Sequence, residues 1–155
     1  MNAIFDRFKF TLIVPTVDIS GTGDITTAVW VDCKNFPITS FIAVRGTATD
    51  AFDKLQVNQA TDSSGTGSKA VTSLALTSFA GFDTLGDVAI LELDAEAMDI
   101  ANSFTFASIV YSLGADTGAN NFTCFACQGQ ARYAFRALNA RVAADAATSM
   151  IKLMG

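Results

Sequence analysis

Val, Ile, Thr and Phe gather along this chain in short runs, and the gaps between the runs are filled by Gly, Asp, Asn and Ser. Such runs, bounded by turn-forming residues, predict β-strands. They fall at about 8–17, 25–33, 38–46, 54–60, 69–76, 88–94, 103–113 and 121–137. Alternation is clearest in Phe104-Thr105-Phe106-Ala107-Ser108-Ile109-Val110-Tyr111 and in Gln130-Ala131-Arg132-Tyr133-Ala134-Phe135-Arg136. In the second, Arg132 and Arg136 share one face while Tyr133 and Phe135 take the other, the pattern of a half-buried strand. About eight short strands separated by turn clusters predict an all-β fold, an antiparallel sandwich, jelly roll or barrel.

Two segments depart from that pattern. Asp94-Ala95-Glu96-Ala97-Met98-Asp99-Ile100-Ala101 carries helix formers enough for a turn or two. From Asn139 as N-cap, residues 139–154 place Val142, Ala146, Met150 and Leu153 at intervals of three or four after Leu138. That spacing predicts a short C-terminal helix that either closes the β domain or docks on a neighbouring subunit. At the other end, Ile4, Phe5, Phe8 and Phe10 crowd into residues 1–17, a first strand or an arm laid across a partner. The candidate partner-binding residues are therefore Ile4, Phe5, Phe8, Phe10, Leu138, Val142, Met150 and Leu153.

The turns repeat. Asp18-Ile19-Ser20-Gly21-Thr22-Gly23 recurs as Asp62-Ser63-Ser64-Gly65-Thr66-Gly67, and Gly114-Ala115-Asp116-Thr117-Gly118-Ala119-Asn120-Asn121 is similar in composition. A phosphate loop would end in Gly-Lys-Ser/Thr and open a helix, whereas Gly67-Ser68-Lys69 leads into a strand. Calcium would need more carboxylates at regular spacing than each loop supplies. Plain turns are the reading that fits.

Length allows one domain, 1–155. Composition then narrows the chemistry. The chain has no histidine, which removes Ser-His-Asp triads, Cys-His pairs and His-ligated zinc. Catalysis would have to come from carboxylates such as Asp50 and Asp53, or Asp94, Glu96 and Asp99, and nothing singles these out. A net charge of -5 has the wrong sign for a nucleic-acid or anionic-membrane binder. Apolar runs are far shorter than a membrane-spanning helix requires, and Asp6, Arg7 and Lys9 interrupt what would be a signal sequence. The expectation is a soluble protein, made in a cytoplasm, with no cofactor.

Cys124 and Cys127 form a CxxC, but in a strand an offset of three sends the side chains to opposite faces. With Cys33 they are expected to be small buried residues with reduced thiols. Half of the chain is hydrophobic and only 16% is charged, so apolar surface is available both for a core and for contacts between subunits. Thirteen Phe against two Tyr and one Trp favour packing over sugar-binding platforms.

One order of features goes further. Ile25-Thr26-Thr27-Ala28-Val29 leads to Val31-Asp32, then Phe36-Pro37-Ile38-Thr39-Ser40-Phe41-Ile42-Ala43-Val44, then Leu55-Gln56-Val57-Asn58-Gln59-Ala60-Thr61-Asp62-Ser63-Ser64-Gly65, and much later Arg132-Tyr133. This order resembles that of small virion proteins of tailed bacteriophages encoded among the head genes. The resemblance implies a virion structural protein on the capsid exterior, a capsid decoration (cement) protein of minor capsid type, with no catalytic residues. It implies homo-oligomers, trimers being favoured, bound to the lattice of the major capsid protein. A tail, neck or fibre protein is the alternative within the class. A glycan-binding or carboxylate-based enzyme domain is the alternative outside it.

Overall fold

The computed structural model describes residues 8–77, 82, 84–129 and 150–154. Its strands are β1 (Phe8–Asp18), β2 (Ile25–Thr26), β3 (Val31–Asp32), β4 (Ile38–Ala48), β5 (Phe52–Ala60), β6 (Lys69–Thr77), β7 (Val88–Asp94), β8 (Phe106–Leu113), β9 (Asn120–Gly129) and β10 (Met150–Met154). They form two sheets, β1-β9-β4-β7-β10 and β2-β8-β5-β6, with β3 also paired to β8. Every ladder is antiparallel except that of β10 with β7.

Taking β2 and β3 as two halves of one interrupted strand leaves eight strands before β10. The first, eighth, third and sixth lie in one sheet, and the second, seventh, fourth and fifth in the other. That interleaving is a double Greek key, so the sandwich is a jelly roll. Inward-facing residues of both sheets make one core, with Phe41 and Ala43 of β4, Leu55 and Val57 of β5, Ile109 and Tyr111 of β8, and Phe122 and Cys124 of β9. At one end the rings of Phe52, Phe82, Tyr111 and Phe122 pack edge to face or tilted, centroids 4.6–6.4 Å apart.

Pattern and strand agree for β1, β4, β5, β6 and β7 to within two residues. The expected run 25–33 is instead two short strands, and 103–113 begins pairing only at Phe106. The segment from Asp94 forms two single 3-10 turns, Ala95–Ala97 and Ile100–Asn102, the first capped by the Asp94 carboxylate accepting from the Glu96 N–H.

The C-terminal helix needs correction. Met150–Met154 is a strand lying parallel to β7, Met150 opposite Val88 and Met154 opposite Glu92. Helix propensity separates these residues by only a few tenths of a kcal/mol each, while the open edge of β7 offers a backbone ladder. Leu138 and Val142, like Arg132 and Arg136, lie outside the described residues.

Of the two similar hexapeptides, the second is a hairpin turn, whereas the first is an open loop with a bend at Thr22 and Gly23. In the β5–β6 hairpin, Asp62 Oδ1 accepts from the N–H groups of Ser64 and Thr66. In the loop after β1, Gly21 N–H donates to Asp116 of a distant loop, and Asp18 Oδ1 accepts from Asn120 N–H.

Candidate interaction surface

The outward sides of the two sheets differ in chemistry. On the β2-β8-β5-β6 sheet, the outward positions are mostly polar, Lys54, Gln56 and Asn58 of β5 and Ser108 and Ser112 of β8, with Val110 of β8 and Ala70 and Ala75 of β6 among them. On the β1-β9-β4-β7-β10 sheet, register puts Phe8, Phe10 and Leu12 of β1 beside Gly129, Cys127 and Phe125 of β9. These in turn lie beside Ile38, Ser40 and Ile42 of β4, and Ile42 beside Ile90 of β7. A strand with polar residues outside alternates, whereas the outward positions of β1, β9 and β4 here are mostly apolar, interrupted by Ser40 and bordered by Glu92 of β7.

Burial grades across that face. Ser40, Ile90 and Cys127 are buried, Phe8, Ile38, Ile42 and Phe125 are half-buried, and Phe10 and Leu12 are 54% and 48% exposed. Phe8 and Phe10 pack ring to ring, their centroids 6.4 Å apart. The exposed apolar surface is thus concentrated on β1, the sheet's edge among the described residues. Elsewhere the large exposed apolar residues, Val29, Leu85 and Ile100, are scattered singly.

The edge itself is guarded. Lys9 is exposed on the alternate side of β1, Pro15 lacks a donor, and register shifts break the ladder between Leu12 and Val17. Charges, proline and bulges are the devices that discourage strand addition. What β1 presents is a side-chain face rather than a backbone template.

Of the sequence-derived candidates, Phe8 and Phe10 therefore sit together on this face, with Leu12 completing a row that the reading of Ile4 to Phe10 stopped short of. Its signal was there: Leu12 continues the alternation of Phe8 and Phe10. Met150 and Leu153 lie in β10 at the opposite edge of the same sheet. Ile4 and Phe5 lie outside the described residues.

Cys124 faces the core against Val14 and Ala43, and Cys127 faces outward against Phe10 and Ser40. Burial pushes the Cys127 thiol up to about 11 and the Cys124 thiol well above its usual range. Burial also pushes the Cys33 thiol up to about 11, outweighing the hydrogen bond it accepts from the Thr39 hydroxyl. Thiols so protonated are poor nucleophiles and poor metal ligands. Among the described residues no three His, Cys, Asp or Glu side chains group as a metal site would need. No described helix is long and apolar enough to cross a membrane.

Of the carboxylates that could have carried acid-base chemistry, Asp50, Asp94 and Asp99 are absorbed into loop structure. Asp50 accepts from the Thr117 hydroxyl at 2.6 Å, the Thr117 N–H at 2.8 Å and the Asn120 side-chain amide at 2.8 Å. These bonds, the hydroxyl foremost, lower its carboxyl from 3.8 to about 2. Hydrogen bonds likewise lower Asp62, chiefly from Thr66, and Asp99, chiefly from Lys69. A carboxyl whose pKa falls on folding adds stability above its unfolded pKa and loses it as pH falls through the folded value. Melting temperature should therefore drop between pH 4 and pH 2, and the Thr117→Val variant should lose less over that window. Thermal denaturation of both proteins across the range is the check, and parallel curves would refute the assignment.

No protein-family model matches the sequence, and no curated protein matches it.

Proposed function

We propose that the chain is a virion structural protein of a tailed bacteriophage, a capsid decoration protein that binds the lattice of the major capsid protein and stabilises the head. The observation that carries this reading is the apolar outward row of Phe8, Phe10 and Leu12 on a guarded edge strand. Large exposed apolar groups gathered on one strand mark a protein-binding site. The jelly roll is a fold shared by viral capsid proteins, and also by lectins and cupins, so it supports the class without deciding it. The pattern of 25–65 with its late Arg132-Tyr133 supports the same class by resemblance.

In this reading the protein acts by burying its own surface. Each copy seats Phe10 and Leu12 in a complementary apolar site, and Phe125 and Ile42 widen the contact behind them. Copies joined in a closed homo-oligomer bind together, so modest affinity per copy multiplies into firm attachment.

A glycan-binding reading fits the side chains less well. Trp30 and Tyr111 are buried, and the exposed aromatic on the apolar face is Phe10, which has no hydrogen-bonding group to orient a sugar.

The experiment is co-sedimentation with purified heads. Saturation near one copy per capsid subunit is expected, whereas a few copies per virion would place the protein at the neck, tail or fibre instead. A Phe10→Ser/Leu12→Ser variant should keep its melting temperature within a few degrees, because both side chains are already half in solvent. Its affinity for heads should fall about thirtyfold or more, taking ~1 kcal/mol for each anchor lost. Unchanged affinity would rule this face out as the docking surface.

A further inference from the structure

The jelly roll is complete without β10. Among the described residues it is the one parallel strand beside antiparallel neighbours, it is the last strand, and it pairs with β7 alone. Without it the edge of β7, Val88-Ala89-Ile90-Leu91-Glu92-Leu93-Asp94, would present an open ladder on a nearly continuous apolar strand. Such an edge recruits any extended segment within reach.

What is within reach follows from chain length. Residues 130–149 join Gly129 to Met150. Twenty residues can span at most about 70 Å. The seat on the chain's own β7 needs far less, since strand spacing and rise put it about 15 Å across the sheet and 20 Å along it. A compact chain of this size is roughly 40 Å across. The β7 of a touching copy is therefore also within range, and it offers the same seven residues.

We propose that Met150–Met154 is an exchangeable strand, which in assembled protein seats on β7 of a second copy of this chain. The ladder is identical in both arrangements, so exchange sacrifices no contact and local concentration decides the outcome. Exchange would tie neighbouring copies covalently continuous on one side and strand-paired on the other. The proposal rests on the assembly reading only for its setting in a virion, because the exchange itself is tested on purified protein.

Val88 and Met150 are paired across the ladder, and the three native cysteines are buried. Full-length Val88→Cys and Met150→Cys variants, each carrying one new thiol, are mixed, concentrated and oxidised, then run on a non-reducing gel. A covalent dimer in the mixture, at a yield well above either variant alone, is the expected result. The double variant in one chain reports the geometry, closing an intrachain disulfide when dilute. An intrachain disulfide there with no dimer above background in the mixture overturns exchange. No disulfide in either experiment overturns the β7–β10 pairing and the proposal with it. Ile90 and Lys152, also paired, supply a second cysteine pair should the first variants fold poorly. Failure of head binding with exchange intact would instead count against the decoration reading alone.

Discussion

Asn120→Ala should destabilise the protein by about 3 kcal/mol or more, a loss out of proportion to the few atoms removed. Asn120 is fully buried at the start of β9 and joins three chain segments. Its Oδ1 accepts from Arg45 Nη2 at 2.8 Å, Thr49 N–H at 3.1 Å and Asp50 N–H at 2.8 Å. Its Nδ2 donates to Asp50 Oδ2 at 2.8 Å and to the Gly118 carbonyl at 2.9 Å.

Arg45 is what raises the stakes. Its side chain is 1% exposed, its guanidinium lies 4.6 Å from the centre of the Phe52 ring, and it also donates to the Asp50 carbonyl at 2.6 Å. Removing an acceptor from a buried cation costs more than the bond was worth in the intact protein, because the charge stays in a low-dielectric site. Urea unfolding should show the midpoint falling with its slope unchanged. At two to four degrees per kcal/mol, the melting temperature should drop by roughly 6–12 °C. Thr117→Val, which touches the same cluster from the exposed side, should cost at most about 1 kcal/mol. Equal effects from the two variants would mean that the cluster is surface decoration rather than a buried tie.

The second large effect is expected at Gly65. It sits in the hairpin between β5 and β6 at φ +81°, and a Cβ there would lie 2.6 Å from Cε2 and Nε1 of Trp30. Gly65→Ala therefore adds a strained backbone and a clash with a ring that is itself packed. About 1 kcal/mol of the cost is conformational, and the displaced indole raises the total to about 2–4 kcal/mol. Gly67 supplies the control. It too has positive φ, +63°, but nothing lies within 4 Å of its would-be Cβ, so Gly67→Ala should cost only the conformational part. Trp30 is the sole tryptophan, so its emission should shift to the red in Gly65→Ala and stay in place in Gly67→Ala. Matching emission spectra would exclude the contact as the cause.

These two sites show where a sequence speaks and where it stops. Strand positions were legible because a buried side and an outward side alternate along β5, and because the apolar run Val88–Leu91 opens β7. The CxxC was legible as a strand pair on opposite faces for the same reason. Asn120 carried no such signal. It reads as one more turn residue in Gly118-Ala119-Asn120-Asn121, and its role depends on Arg45 and Asp50, which approach only once the Greek keys close. Neither did the strand Met150–Met154 announce itself. Five residues of Met, Ile, Lys and Leu satisfy either period, and the decision belongs to the distant edge of β7. The outward face was half legible. Phe8 and Phe10 stood out as apolar, but that Phe125, Ile38 and Ile42 extend the same surface follows from register between strands far apart in sequence.

The pairing of β1 with β9 carries a consequence for how the protein is made. Phe8 sits opposite Gly129 and Asp18 opposite Asn121, so β1 waits for a partner roughly a hundred residues further along the chain. A ribosome adding about ten residues each second leaves Phe8, Phe10 and Leu12 without their sheet for some ten seconds. During that interval the apolar row of β1 is an aggregation hazard of the nascent chain. A chaperone holding the emerging β1, or a lower temperature that weakens hydrophobic association while the chain is completed, should raise the soluble yield before any change to the folded structure does.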